Sequence, residues 1–365
     1  MIIKDISILQ ENYIPPVFVH RDKEIEELNR IFYTYKKYGV LSNNLYIFGP
    51  AGTGKTQITL KYLKELNLEY IYCSCREYKT MYQVLRDIAE KMSCKKIPSN
   101  SPTSECFSAI KKNLKKQCAI VLDDIQSVTK DKNFDNIMFG LSRLAWNESS
   151  KQTMLIIIGN LSINDLKNAL STPTIDGLKL RYVYFPKYNA MQLKDILRNR
   201  KDAFYKLPGK AINYISAYVS QQWGSARYAL DLLRESCILA EIKGKRDVEE
   251  KDVEESIKII EEKELENILI NLPTQALLVC EALMNIKLPA TTSQVYANYK
   301  KLCSKYRYRI LTMRRINDIL SDLEGEGIIN SKVEFRGRYG KQRVIMDYSL
   351  DADMHNKFIK SRLNM

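Results

Sequence analysis

The eight residues Gly49-Pro-Ala-Gly-Thr-Gly-Lys-Thr56 fit the phosphate-binding pattern G-x-x-x-x-G-K-[ST] at every defined position. Gly52 and Gly54 let backbone amides turn inward around phosphate oxygens, where a β-carbon would obstruct the turn. Pro50, Ala51 and Thr53 complete the loop. Lys55 is placed to reach β- and γ-phosphates, and Thr56 offers its hydroxyl to Mg²⁺. The start of the helix that follows adds a favourable dipole. The chemistry implied is the binding of a nucleoside triphosphate with its metal.

Two carboxylates supply the other half of such a site. Ala119-Ile-Val-Leu-Asp-Asp124 is an apolar strand ending in acids, the form of a Walker B segment. Asp123 is expected to orient Mg²⁺ through its water shell, opposite Thr56. Asp124 stands where a Glu usually polarises the attacking water. Its oxygen lies about one methylene further back, and misplacement on that scale is costly. Asn160 ends the apolar run Leu155-Ile-Ile-Ile-Gly-Asn160 at a strand's C-terminal edge, a position that faces the γ-phosphate. Arg227 falls in the first turn of a helix that begins at Gly224 or Ser225. A cation there opposes the helix dipole, and that local inconsistency points to a phosphate contact.

The elements that must hold these residues read plainly. Apolar runs at Leu45–Phe48, Glu69–Cys75, Ala119–Asp123, Met154–Gly159 and Tyr182–Phe185 are strands separated by helical stretches. That alternation predicts a parallel sheet with helices on both faces. Ile25, Leu28, Ile31 and Phe32 recur at helical spacing, so Asp22–Lys37 is expected as one amphipathic helix. Pro186 ends the fifth strand, and only helical patterns follow to about Glu266. Leu272-Pro273 then opens a third unit with helices at Gln275–Met284, Thr292–Lys305 and Thr312–Glu324. Strand-like runs at Ile328–Phe335 and Arg343–Leu350 flank a turn, Arg336-Gly-Arg-Tyr-Gly-Lys341. Three helices and a β-hairpin make a winged helix-turn-helix, whose third helix lies in a major groove.

Composition narrows the partners. The chain has 365 residues, 45% of them apolar, with a net charge of +14. From Asn271 onward sixteen Lys/Arg face nine Asp/Glu, so the last quarter holds half of that excess. A basic terminal domain without a signal-peptide layout or a long apolar span points to nucleic acid rather than membrane. Thr312, Arg314 and Arg315 open the third helix and are the expected base-reading residues. Arg336, Gly337, Arg338, Tyr339, Lys341 and Arg343, in and beside the turn, are the expected contacts to backbone or minor groove. Eight cysteines without a C-x-x-C pair, and only two histidines, argue for reduced thiols and against zinc.

Taken together, these motifs resemble those of an AAA+ ATPase. Pro15-Pro-Val-Phe-Val-His-Arg21, Tyr182-Val-Tyr-Phe-Pro-Lys-Tyr188, Ile196-Leu-Arg-Asn-Arg200 and Gly337-Arg-Tyr-Gly-Lys341 further resemble the archaeal origin-recognition (Orc/Cdc) replication initiators. The resemblance covers about Tyr13 to Leu350. It implies a nucleotide-binding core over 1–186, a helical lid over 187–266 and a winged-helix DNA-binding domain over 267–365. The first two would close around ATP or ADP with Mg²⁺. Tyr188 and Arg200 are by resemblance further nucleotide contacts, Arg227 the lid's sensor arginine and Asn160 the first sensor. Thr80–Met92 matches the initiator-specific insertion that touches DNA.

The chain departs from the family's pattern in two places. Asp124 replaces the usual Glu, and Ser171–Leu178 lacks the arginine that members offer to a neighbour's nucleotide, Arg181 being the nearest. The function implied is a replication initiator that binds origin duplex DNA, works with paralogous initiators and helps load the replicative helicase. Its expected location is the cytoplasm, with the nucleoid. One alternative is a nucleotide-locked, essentially non-hydrolysing regulator or plasmid-type initiator. Another is a clamp-loader or remodelling ATPase whose basic domain docks protein.

Overall fold

A computed structural model describes residues 1–114, 117–144, 153–335, 341–349 and 355–363, which fold as two compact units, Met1–Val253 and Glu254–Met365. In the first unit five strands form one parallel sheet: β1 (Asn44–Phe48), β2 (Glu69–Ser74), β3 (Cys118–Asp123), β4 (Thr153–Gly159) and β5 (Leu180–Tyr184). Their spatial order is β2-β3-β4-β1-β5. β3 and β4 are buried along their whole length, which is why they read as unbroken apolar runs rather than alternating ones.

Helices cover both faces. Those of the core are α1 (Asp22–Ile31), α2 (Tyr33–Tyr38), α3 (Lys55–Glu65), α4 (Met81–Ser93), α5 (Thr103–Asn113), α6 (Phe134–Leu144), α7 (Ile163–Asn168) and α8 (Thr172–Leu178). On one face Tyr46, Ile120, Leu122, Leu155 and Ile157 pack with Val84, Ile88, Ile110 and Leu141. On the other, Leu45, Ile47, Val121, Ile156 and Ile158 pack with Leu28, Ile58 and Leu63. The side-chain alternation of each strand thus feeds two cores from one sheet. The single helix expected over Asp22–Lys37 is two, because Phe32 leaves helical geometry (φ −88°, ψ 7°) while its ring stays buried.

Three more helices complete this unit: α9 (Ala190–Arg198), α10 (Gly209–Gln222) and α11 (Ala226–Ile242). Asn189 and Gln192 form a capping box at the start of α9, and Ser225 caps α11 by accepting from the Tyr228 N–H. α12 (Glu250–Asn271) runs across the division between the units.

The second unit holds α13 (Thr274–Met284), α14 (Thr292–Tyr306) and α15 (Met313–Gly325), with β6 (Ala290–Thr291), β7 (Ile329–Phe335) and β8 (Lys341–Tyr348). Its sheet is antiparallel, in the order β6-β8-β7. The two-residue β6, too short to show any period in the sequence, pairs Ala290 with Ile345 and Thr291 with Val344. Leu278, Val279, Val295, Tyr299, Ile316, Leu320 and Ile345 form a core separate from those of the first unit. The architecture is a P-loop α/β sheet with a helical lid and a C-terminal winged helix. No helix among the described residues is long and apolar enough to cross a membrane.

Candidate functional site

The C-terminal ends of β1, β3 and β4 open on one cavity of about 270 Å³ in the first unit. Lining it are the loop from Ala51 to Thr56, Asp123, Asp124, Asn160, Tyr188, Arg200 and Arg227. Every residue selected for nucleotide, metal or catalysis except Pro50 therefore borders the same space. Pro50 lies beneath, its carbonyl accepting from Lys55 Nζ at 2.7 Å.

The loop takes its shape from backbone that only glycine tolerates. Gly52 has φ +72°, and a β-carbon on it would stand 1.9 Å from Ser225 Oγ. That close approach lets the Gly52 carbonyl accept the Ala226 N–H at 3.0 Å, so the first turn of α11 docks on the loop. Lys55 also donates to the Gly49 carbonyl at 2.7 Å. Burial first of all, partly offset by Asp123 and Asp124, pushes its ammonium down to about 8. A cation held this way gains from a polyphosphate, which would restore its charge.

Thr56 Oγ1 donates to Asp123 Oδ2 at 2.8 Å, and the Tyr72 hydroxyl donates to the same oxygen at 3.0 Å. Burial raises the Asp123 carboxyl, against the lowering effect of those two hydrogen bonds. Hydroxyl and carboxylate oxygens side by side on the wall of this cavity are the donor set that suits Mg²⁺. Asp124 adopts left-handed backbone (φ 52°) and accepts from Gln126 Nε2 at 3.0 Å.

Two arginines differ in what holds them. Arg227, 59% exposed on its side chain, lies 3.5 Å from Glu11. Arg200 is buried, its guanidinium 4.7 Å from the centre of the Tyr13 ring, and neither Nε nor Nη1 has a hydrogen-bond partner. Burial lowers its pKa. A desolvated cation with unmatched donors facing a cavity fits an anionic or hydrogen-bond-accepting ligand.

Several residues in the site carry no motif. Arg21 is buried and donates through Nε to the Thr53 carbonyl at 3.2 Å and to the Tyr188 hydroxyl at 2.8 Å. Its Nη2 donates to the Pro186 carbonyl and its Nη1 to Glu24. It braces the loop from below, and Tyr188 is part of that brace, its own hydroxyl lying 3.2 Å from the Thr53 carbonyl. Tyr13, Glu11 and Gln126 join the lining. The one available signal was Arg21's place in the segment that carries the resemblance.

In the second unit Thr312 is the N-cap of α15, accepting from the Arg315 N–H at 3.4 Å. Arg314 and Arg315 are exposed on the first turn, Arg315 lying 3.5 Å from Asp318. Arg343 is turned inward: it donates to Ser321 Oγ at 2.8 Å and to the Asn317 carbonyl, tying β8 to α15. Arg336, Gly337, Arg338 and Tyr339, and the Lys341 side chain, lie outside the described residues. Arg181 is exposed on the edge strand β5.

Comparison with known proteins finds three family models along the chain. Residues 41–166 match a family model described as an AAA domain, and 194–258 match the Cdc6 AAA+ ATPase-type lid domain. Residues 267–356 match the CDC6 C-terminal winged helix domain. The ORC1-type DNA replication protein of Pyrococcus abyssi is 34% identical over 368 residues, covering 94% of this chain and 87% of that protein. This chain belongs to the ORC1-type DNA replication protein family. The ORC1-type DNA replication protein 1 of Archaeoglobus fulgidus is 32% identical over 370 residues, covering 96% and 88%. Among solved structures, the ORC1-type fold is matched by Aeropyrum pernix Orc1 in complex with DNA, at a TM-score of 0.89 and 28% identity, over 99% of this chain and 97% of that one. Cdc6p of Pyrobaculum aerophilum shares the fold at a TM-score of 0.62 and 21% identity, over the whole of both chains.

Proposed function

We propose that this ORC1-type chain is a replication initiator that binds ATP or ADP with Mg²⁺ and holds origin duplex DNA through its winged helix. On this reading 1–186 form the nucleotide core, 187–266 the lid and 267–365 the DNA-binding domain. The loop from Pro50 to Thr56 holds the phosphates, with Thr56 and Asp123 on the metal. Tyr188, Arg200 and Arg227 complete the nucleotide contacts, and Asp123, Asp124 and Asn160 act on any hydrolysis. Paralogous initiators and the replicative helicase are the expected partners, in the cytoplasm with the nucleoid.

The observation that carries the nucleotide half is Arg200, a buried guanidinium whose unmatched donors line the same cavity as the P-loop. Support for the DNA half comes from the likeness to an initiator solved on DNA. The segment from Tyr299 to Asn317 adds to it, with seven Lys/Arg and no acid. Calorimetric titration with ADP and ATP, each with Mg²⁺, tests the first half. Binding is expected, and Lys55→Ala is expected to remove it, because the ammonium placed over the phosphates is lost. Undiminished binding by that variant would overturn the assignment. Asp124 favours a second reading, in which the protein is nucleotide-locked and scarcely turns over. Its short carboxylate is already hydrogen-bonded to Gln126. Steady-state phosphate release with and without duplex DNA separates the two.

A further inference from the structure

Gln126 lies in the short turn that follows β3, and no motif includes it. Its Nε2 donates to Asp124 Oδ1 at 3.0 Å, and its Oε1 accepts the Asn160 N–H at 3.3 Å. One carboxamide orientation satisfies both bonds. The flipped amide would set donor against donor and acceptor against acceptor.

Both ends of this bridge are fixed. The Tyr46 hydroxyl on β1 donates to the Leu161 carbonyl at 2.8 Å, holding the chain as it leaves β4. Gly159 leaves room for the contact: a β-carbon there would come 3.1 Å from Gln126 Oε1 and 2.8 Å from Ile125 Cγ2. At the other end, Asp124 sits in left-handed backbone with Ser127 Oγ donating to its carbonyl at 2.9 Å. Its carboxylate is therefore aimed by its own backbone and then captured by the amide.

We infer that Gln126 is a positioning residue that restrains hydrolysis, tying Asp124 to the end of β4 and away from the attacking water. The inference rests on the nucleotide reading of this cavity. In hydrolysis a water oxygen bonds to the γ-phosphorus, and the bond from that phosphorus to the bridging oxygen breaks, its electrons leaving on ADP. The water's proton passes to a carboxylate and then to the released phosphate. A carboxylate that accepts a hydrogen bond from an amide is held in place by that bond, and the lone pair spent on the amide is not free for water. Because Asp124 is one methylene shorter than Glu, it has little reach left to serve water while keeping the amide.

The test is single-turnover ATP hydrolysis by the full-length protein, with ATP affinity measured calorimetrically on each variant. Gln126→Met keeps the bulk and removes both bonds. Gln126→Glu keeps the acceptor for Asn160 and loses the donor to Asp124. Both are expected to raise the hydrolysis rate about tenfold, the scale of one hydrogen bond to a charged group, with ATP affinity unchanged. Adding Asp124→Ala to either variant is expected to abolish the gain, since the gain acts through that carboxylate. Equal or slower hydrolysis by both variants, or a gain that survives Asp124→Ala, would overturn the inference. If the unmodified protein binds no ATP, the nucleotide reading itself fails, an outcome told apart by the calorimetry.

Discussion

Lys55 shows how the site is arranged around charge. Burial lowers its pKa from 10.5 to about 8, so the ammonium is easily lost when no phosphate is present. A bound triphosphate restores the charge, and above pH ~8 binding must then take up a proton. ATP affinity is expected to fall as the pH rises past about 8, by about tenfold per unit at the limit. Titration in buffers of different ionisation enthalpy would report the uptake directly, and an affinity flat from pH 7 to 9.5 would contradict it. Folding stability of the free protein runs the other way. Below about 8 Lys55 is charged in both folded and unfolded chains, and the folded state bears the burial cost. Between about 8 and 10.5 the unfolded chain binds more protons, so this contribution to stability rises with pH. The P-loop and its lysine were legible because phosphate chemistry demands contiguous residues. Arg21 was not, since its partners Thr53, Pro186 and Tyr188 are distant in sequence and only the fold unites them. Gln126 escaped for a different reason: a lone glutamine after two aspartates has no pattern until β4 arrives beside it.

At the scale of elements, the core strands were readable because burial on both faces leaves an unbroken apolar run. Boundaries and short pieces were less so. β5 begins at Leu180 rather than Tyr182, because the exposed Arg181 breaks the apolar run while the backbone there still pairs with β1 at Asn44 and Leu45. The division of α1 from α2 turns on the single residue Phe32, whose helical periodicity persists while its backbone does not. The docking of α11 on the P-loop had a signal only in part: the start of the helix was evident, but its contact with Gly52 was not. That contact predicts a strong effect from a small change. Gly52→Ala places a methyl where Ser225 Oγ now stands 1.9 Å away, at a φ of +72° that L-residues rarely adopt. α11 must shift or the loop must reshape. A loss of about 1–3 kcal/mol in urea unfolding is expected, together with weaker binding of ADP and ATP. Wild-type stability with wild-type nucleotide affinity would show that α11 does not rest on the loop in solution.

Over the whole molecule, charge is the property that most clearly separates the two functions proposed. The chain carries +14, and residues from Asn271 onward contribute sixteen basic against nine acidic side chains. Such a surface binds duplex DNA largely by releasing counterions, so affinity should fall linearly with salt on logarithmic axes. Within it, two kinds of arginine are expected to behave differently. Arg314 is exposed on the first turn of α15, the element that a helix-turn-helix inserts in the major groove. An arginine there pairs bidentately with guanine edges, so Arg314→Ala should cost about 1–3 kcal/mol on the preferred duplex and little on unrelated sequence. Arg338, in the Gly-containing sequence between β7 and β8, is expected to meet phosphate or sugar. Arg338→Ala should weaken binding to all duplexes alike and flatten the salt slope by about 0.9. Arg343 is predicted to fall in neither class. Its guanidinium is engaged with Ser321 and Asn317, so its loss loosens α15 and lowers the unit's thermal stability before it alters any phosphate contact. Fluorescence anisotropy of the full-length protein against specific and unrelated duplexes, over a salt series, reads the Arg314 and Arg338 variants, and thermal unfolding reads Arg343→Ala. Affinity that ignores salt would contradict the phosphate contacts, and an Arg314 variant that loses both duplexes equally would mean that α15 does not read bases.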